Sequence, residues 1–400
     1  MITTAEAMQA ILAAVQPLES ETTEFEEATG RVLAQSVHAE RDQPPFDRVM
    51  MDGIAISFAE FVAGTRSFPI QSTQAAGDPA QTLEPGRAIE IMTGASLPDG
   101  ADCIVPVERI IVNDLGAHIE ANYAASEKQF IHARGSDHEQ GTELLQPGTR
   151  VTPMDIAIIA SCGLAGVKVT KQARISVIST GNELVPAGDA IEPHQIRMSN
   201  GPAIVAMLEQ HGFTNTAHDH LIDEPALLKE HIARHLDHAD VLILSGGVSM
   251  GKADYVPQVL GDLGVEVAFH KISQRPGKPM WFGIGPDGQA VFALPGNPVS
   301  ALVCSRQYVI PALHHMSGMA AAAPQFASLT TEVTFKPPLT NFLPVKLVSN
   351  AAGQVLAMPV HTNTSGDFAS LSGTDGYVEL ALEQTEFKTG AVVPLHRWWL

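Results

Sequence analysis

Short aliphatic and β-branched runs alternate with helical apolar stripes from Ala173 to about Leu313. Residues 174–179 (RISVIS) read as a strand, and residues 241–244 (VLIL) and 290–294 (AVFAL) read as two more, continuously apolar as a sheet covered on both faces requires. Between them, Ile204 to Gln210 closed by Gly212 predicts a helix. A second helix is predicted to open at Asp223 and Pro225, with an apolar stripe of Leu227, Leu228, Ile232 and Leu236. Strands alternating with helices imply a parallel sheet in a three-layer α/β domain over residues 173–320. Residues 41–146 are rich in Gly, Pro and short alternating runs such as 87–92, which predicts an inserted β-rich lobe. The flanks, 1–40 and 147–172, are expected to pair into a connector domain. Past the alanines at 320–323 and Pro324, the alternating runs 329–335 and 377–382 predict a small C-terminal β domain over 324–400, a β-barrel or a sandwich, with the barrel preferred. The fold class is therefore α/β plus β, in several domains.

Composition narrows the partners. With 400 residues, 45% hydrophobic and 17% charged, the chain can bury several cores. A formal net charge of −20 repels polyanions at long range, so nucleic acid and an anionic membrane are not expected partners. An anionic small molecule would have to be held locally, by backbone N–H groups and a few cations. The three cysteines, Cys103, Cys162 and Cys304, are far apart and fit a reducing compartment. The start lacks a basic stretch, and the longest apolar run, Ile156 to Val167, is too short and glycine-broken to span a bilayer, so a cytoplasmic protein is expected.

In an open α/β sheet, ligands bind beyond the carboxyl ends of the strands. Three such ends carry unusual residues: Ser179-Thr180-Gly181-Asn182-Glu183, then Ser245-Gly246-Gly247 continuing through Ser249 to Asp254, then Leu294-Pro295-Gly296-Asn297-Pro298-Val299-Ser300. Glycines allow close approach to the backbone, and hydroxyls and amides suit a phosphate or diphosphate. Glu183 and Asp254 are candidate ligands for a hard cation such as Mg²⁺. Each loop alone reads first as an ordinary tight turn; three together at corresponding strand ends favour the ligand site. Lys271, Arg275 and Lys278 gather around a Pro-Gly turn suited to an oxyanion, or to a solvated hairpin end. The lobe adds residues 46–53 and Met92-Thr93-Gly94-Ala95. His218 with His220, and His231 with His235, share faces of their elements without a clear third metal ligand, and Cys304 reads as a small buried hydrophobe.

From Pro44 to Ala301 these segments, in order, resemble the molybdopterin molybdenumtransferases, the MoeA and gephyrin E-domain family, whose pieces read PPFDNSAMDGYA, MTGA, STGDEL, SGGVSxGxxD and PGNPVSA. The resemblance implies an elongated molecule that forms a homodimer, with Asp52, Thr93 and Asp137 of the lobe and Glu183 and Asp254 of the α/β domain as catalytic residues sharing one site between subunits. It implies adenylylated molybdopterin and molybdate as ligands, Mg²⁺-assisted cleavage of the diphosphate, and release of AMP. The adenylylating enzyme and acceptor molybdoenzymes are the implied neighbours in the reaction sequence. Asp223 is a weaker site candidate, since it also suits a helix cap. The chain departs from the family pattern: residues 48–54 read RVMMDGI, residue 182 is Asn where Asp is usual, and the segments 339–344 and 364–373 lack the usual arginines. Adenylyl transfer to molybdopterin and a non-catalytic pterin carrier are the alternatives.

Overall fold

A computed structural model describes residues 1–247 and 255–399. The chain groups into two compact units, one of Gln35–Gln146 with Thr152–Gly166 and the other of Met1–Ala34, Pro147–Val151 and Val167–Leu400.

The smaller unit is β-rich. Strands Gly53–Ile56 (β1), Ile70–Gln74 (β2), Ala88–Ile91 (β3) and Cys103–Pro106 (β4) form a sheet in the order β2-β3-β1-β4. β1 is buried along its length between its two neighbours. A Cβ on Gly53 would stand 2.0 Å from the carbonyl oxygen of Val105, so only glycine allows β1 to lie this close to β4 at its first residue.

The larger unit contains a six-stranded sheet of Ile175–Thr180 (β5), Thr216–Leu221 (β6), Val241–Ser245 (β7), Glu266–His270 (β8), Trp281–Ile284 (β9) and Ala290–Leu294 (β10), in the order β6-β5-β7-β10-β9-β8. The first four strands are parallel, and β9 and β8 join antiparallel. Helices Thr4–Ala14 (α1), Asn200–Gln210 (α2), Pro225–His238 (α3), Val256–Asp262 (α4), Pro298–Cys304 (α5) and Ile310–Met316 (α6) complete the unit's α/β part. One face buries Ile175, Val177, Ile243 and Phe292 against Ile11 of α1, Ile204 and Leu208 of α2, Ala301 of α5 and Leu313 of α6. The other buries Ile178, Leu242, Leu244 and Val291 against Leu228 and Ile232 of α3 and Leu260 of α4. The result is three layers, as the strand–helix alternation predicts.

One helix start differs from expectation. α3 begins at Pro225 with Glu224 at the N-cap, and no side chain caps it. The amide of Asp223 instead donates to Asn182 Oδ1 at 2.9 Å, which ties Asp223 to the first loop rather than to the helix.

The chain continues into a closed five-stranded barrel of Gln325–Leu329 (β11), Thr340–Ser349 (β12), Val355–Pro359 (β13), Gly376–Leu380 (β14) and Val392–Arg397 (β15). β12 pairs with β13 and β14, β11 with β13 and β15, and β14 with β15, which closes the ring. The alternating run at 329–335 is not one strand. Leu329 ends β11, and Val333–Thr334 pairs separately with Glu386–Phe387. The barrel packs on α5 through Val299 and Val303 against Phe342, Tyr377 and Trp398.

Phe292 is fully buried in the central sheet, its ring centroid 4.9 Å from that of Phe282. Phe292→Ala is expected to remove about 3–5 kcal/mol of stability through lost transfer energy and the cavity left behind. Urea unfolding followed by tryptophan fluorescence measures this, and a loss below about 1 kcal/mol would mean that the sheet repacks around the gap.

Candidate functional site

Hydrogen-bond register sets the geometry of the site. Ser179 on β5 pairs with Ser245 on β7, and Ser245 pairs with Leu294 on β10, so three loops leave the sheet at one level. They line a cavity of about 430 Å³ that contains Ser179, Thr180, Glu183, Asp223, Ser245, Gly246, Gly247, Pro295, Gly296, Asn297 and Pro298. The second loop needs glycine at 246 on steric grounds, and the first needs it at 181 for its backbone conformation, φ +148°. A Cβ on Gly246 would stand 2.5 Å from the carbonyl oxygen of Thr180, and one on Gly181 would stand 2.7 Å from Glu183 Oε2. Gly181 does not line the cavity itself; it lets the Glu183 carboxylate fold back over the turn. Ser249 and Asp254 lie outside the described residues.

Thr180 Oγ1 is buried at the cavity wall with no hydrogen-bond partner among the described residues. An unpaired buried hydroxyl is costly, and a ligand oxygen would satisfy it. Asn200, at the start of α2, donates from Nδ2 to Ser245 Oγ at 2.9 Å and to the carbonyl oxygen of Gly296 at 2.8 Å, so one amide group ties two of the loops together. Sequence reading missed Asn200, and also Arg197 and Ser199, which line the same cavity. The available signal was Ser199-Asn200-Gly201 immediately before a helical period. Glu183 and Asp223 both line this cavity and carry the oxygen ligands a hard divalent cation takes, though among the described residues no group of three or more His, Cys, Asp or Glu side chains converges on one point.

A second cavity, of about 510 Å³, adjoins the first through the shared residues Pro279 and Asn297. Arg275, Lys278 and Ser300 line it together with Asn341, His361, Thr362, Thr364 and Ser365 of the barrel domain. The pairing of Gln274–Arg275 with Thr340–Asn341 fixes the cationic turn against the barrel. Beneath it, Gln274 is fully buried, with its Nε2 donating to the carbonyl oxygen of Pro276 at 3.0 Å and its Oε1 accepting from Tyr308. Gly277 has φ +92°, and a Cβ there would stand 2.4 Å from Cys304 Sγ. Burial pushes the Cys304 thiol up to about 12, which makes it a packing group rather than a nucleophile. Lys271 begins this turn and lines neither cavity, so the structure brings Arg275 and Lys278 together but not Lys271.

In the smaller unit, the backbone N–H and the hydroxyl of Thr93 both donate to Asp52 Oδ1, at 2.6 and 2.7 Å. These bonds hold the Asp52 carboxyl below its ordinary range, so it stays ionised to lower pH than a free aspartate. Asp137 accepts from His132 at 3.0 Å, and the other ring nitrogen of His132 lies 3.0 Å from Arg48 Nη2. Met50 and Met92 are exposed beside Asp52 and Thr93 in the sequence.

Three of the four histidines singled out in the sequence, His218, His220 and His235, have separate hydrogen-bond partners. His218 Nε2 lies 3.0 Å from Ser179 Oγ, and His220 Nε2 lies 2.9 Å from the carbonyl oxygen of Gly181. His235 bridges Ser176 Oγ at 3.1 Å and Asp219 Oδ2 at 3.0 Å. That Ser–His–Asp chain fastens α3 to the sheet, and its serine is buried and lines neither cavity.

Comparison with known proteins identifies the family. Three family models match in sequence: the MoeA N-terminal region (domain I and II) over residues 2–163, a probable molybdopterin binding domain over 176–315, and the MoeA C-terminal region (domain IV) over 327–398. A protein of Synechocystis sp. named molybdopterin molybdenumtransferase is 39% identical over 404 residues, covering 100% of both chains. The chain belongs to the molybdopterin molybdenumtransferase family. A relative of the same name from Staphylococcus aureus is 32% identical over 401 residues, covering 98% of this chain and 94% of the other. The crystal structure of a molybdopterin biosynthesis MoeA protein from Pyrococcus horikosii superposes with a TM-score of 0.84 at 28% identity, covering 100% of this chain and 99% of that one.

Thr93→Val removes the hydroxyl donor to Asp52 and is expected to move the Asp52 carboxyl back toward its ordinary value. Carboxyl ¹³C NMR titration reads this directly. A titration unchanged by the substitution would show that the hydroxyl does not set the Asp52 charge.

Proposed function

We propose that this chain inserts molybdate into the dithiolene of adenylylated molybdopterin, with cleavage of the diphosphate and release of AMP, in the cytoplasm. One observation carries the reading. A hydroxyl- and carboxylate-lined cavity at three strand ends adjoins a cationic one, and they share Pro279 and Asn297. A ligand with a diphosphate at one end and a dithiolene at the other has the chemistry to run from the first into the second.

In this reading Ser179, Thr180 and Ser245, with the amides of Gly246 and Gly247, receive phosphate oxygens. Arg275, Lys278 and Ser300 hold the oxygens of the tetrahedral molybdate, a substrate. A magnesium ion, when bound by Glu183 and Asp254, would offset the phosphate charge. Glu183 orients a water and takes its proton. The water oxygen adds to one phosphorus as the bridging P–O bond breaks, and AMP leaves. The two dithiolene thiols then replace one oxygen of molybdate: two Mo–S bonds form, one Mo–O bond breaks, and that oxygen leaves as water with the two thiol protons. Two copies form a homodimer in which Asp52, Thr93 and Asp137 of one serve the cavity of the other.

One feature favours a non-catalytic pterin carrier. Among the described residues, the barrel side of the second cavity contributes Asn341, His361 and hydroxyls but no Lys or Arg, so the positive charge there comes from Arg275 and Lys278. The deciding measurement is AMP release from adenylylated molybdopterin with Mg²⁺, with and without molybdate. Molybdate-dependent release, lowered at least about 100-fold by Asp52→Ala and by Glu183→Ala, is expected, in the range for loss of a catalytic group. Tight pterin binding without turnover would leave the carrier reading in place.

A further inference from the structure

Among the described residues, Ser179 Oγ is the one candidate phosphate contact whose hydroxyl has an imidazole behind it. Ser179 is 1% exposed and lines the first cavity, and His218 Nε2 reaches its oxygen at 3.0 Å from the neighbouring strand β6. Space for this pair is reserved by a glycine in the first turn of α2. A Cβ on Gly201 would stand 2.0 Å from His218 Nε2 and 2.6 Å from Ser179 Oγ. Any larger residue at 201 would separate the two groups, so the pairing is built by sterics as well as by hydrogen bonding.

A serine hydroxyl has one proton to give and two lone pairs to offer. If His218 Nε2 accepts, the hydroxyl proton points away from the cavity, and the cavity sees only oxygen lone pairs. If His218 Nε2–H donates, the hydroxyl proton is free to point into the cavity. A phosphate or diphosphate oxygen is an acceptor and can use only the second arrangement.

We propose that His218 is a positioning residue for the reaction: by donating to Ser179 Oγ it turns the serine hydroxyl into a donor toward the phosphate groups of the bound substrate. The inference rests on the reading that this cavity holds the diphosphate. It extends that reading to a residue outside the five motifs that carry the family resemblance. The groups that act on His218 are few. Asp219 and His220 flank it on β6 with opposite effects, Asp219 itself being bonded to His235 of α3, and Ser179 faces it from β5; the first residues of α2, Asn200, Gly201 and Pro202, carry no charge. Burial, the largest influence, lowers the His218 pKa, so at neutral pH the ring is uncharged and the ligand selects its Nε2–H tautomer. As pH falls through that pKa the imidazolium becomes an obligatory donor. Affinity for a phosphate ligand should therefore rise on the acid side.

The test is isothermal titration calorimetry of the full-length chain with adenylylated molybdopterin, and with AMP as a pterin-free probe, across a pH series. Variants are His218→Leu, His218→Gln, Ser179→Ala and the His218→Leu/Ser179→Ala double. His218→Leu is expected to weaken binding about tenfold, the scale of one hydrogen bond to a charged group, and to flatten the acid-side rise. His218→Gln, whose amide can donate at every pH, is expected to restore most of the affinity without restoring the pH dependence. In the Ser179→Ala background, His218→Leu should cost little more, because the histidine acts through the serine. Equal losses with and without Ser179, or wild-type affinity and pH slope in His218→Leu, would overturn the proposal. If His218→Leu does not fold, judged by circular dichroism, the His218→Gln cycle decides: a pH slope retained in His218→Gln overturns the proposal. Failure of the wild-type chain to bind either probe would instead overturn the proposed function of the cavity.

Discussion

Parallel strands held in register end together, and the candidate site depends on that alignment. Because Ser179, Ser245 and Leu294 sit side by side in three adjacent strands, a displacement of β7 by one residue would reverse which of its side chains face each layer. The continuous burial of both faces, with Ile178 on one side and Val177 on the other, makes such a slip expensive. The strand core thus fixes where the loops begin. Asn200 then joins two of them, and the glycines let them close over one another.

Charge enters at a different scale. A net charge of −20 disfavours the approach of an anion, yet the ligand assigned to the site is anionic. The contradiction is resolved by range. The overall field is screened beyond roughly 8–10 Å in physiological salt, whereas backbone amides, hydroxyls and the Arg275–Lys278 turn act at contact distance. The cationic turn is in turn rigid for uncharged reasons: Gln274 and Tyr308 bond beneath it, and Gly277 rests against Cys304. A buried thiol contributes here through its volume.

Much of the architecture was legible because local pattern and tertiary role coincide. β5, β7 and β10 are unbroken apolar runs, and each ends in a glycine-bearing loop, so both the strands and their ligand-facing ends announce themselves. What the sequence hid is set by contacts between distant residues. Asp223 has the composition of a helix cap but is held by Asn182, 41 positions away. The strand period places His218 on one face with His220, a pair without a clear third metal ligand; its partner, Ser179, lies on the neighbouring strand, and nothing in the local pattern marks that. Lys271 and Arg275 sit four residues apart, yet only Arg275 reaches the second cavity. The closure of the barrel by β12 with β14 was likewise outside the reach of periodicity, which gives strands but not their partners.

The second cavity poses the sharpest question of chemistry. An oxyanion gripped from both sides is held by opposed cations, whereas here the barrel wall presents Asn341, Thr362, Thr364 and Ser365, with His361 the only titratable group among its lining residues. Neutral donors supply direction with little Coulombic attraction, and hydrogen bonds from neutral groups are about half as strong as charge-assisted ones. In the proposed reaction, affinity for molybdate would lean on Arg275 and Lys278, with the barrel wall supplying neutral donors. Such a division would leave the oxyanion held by one cationic wall, the feature that favours the carrier alternative. It also places the weight of the functional assignment on the turn at 275–278, whose position depends on the β-pairing of Gln274–Arg275 with Thr340–Asn341.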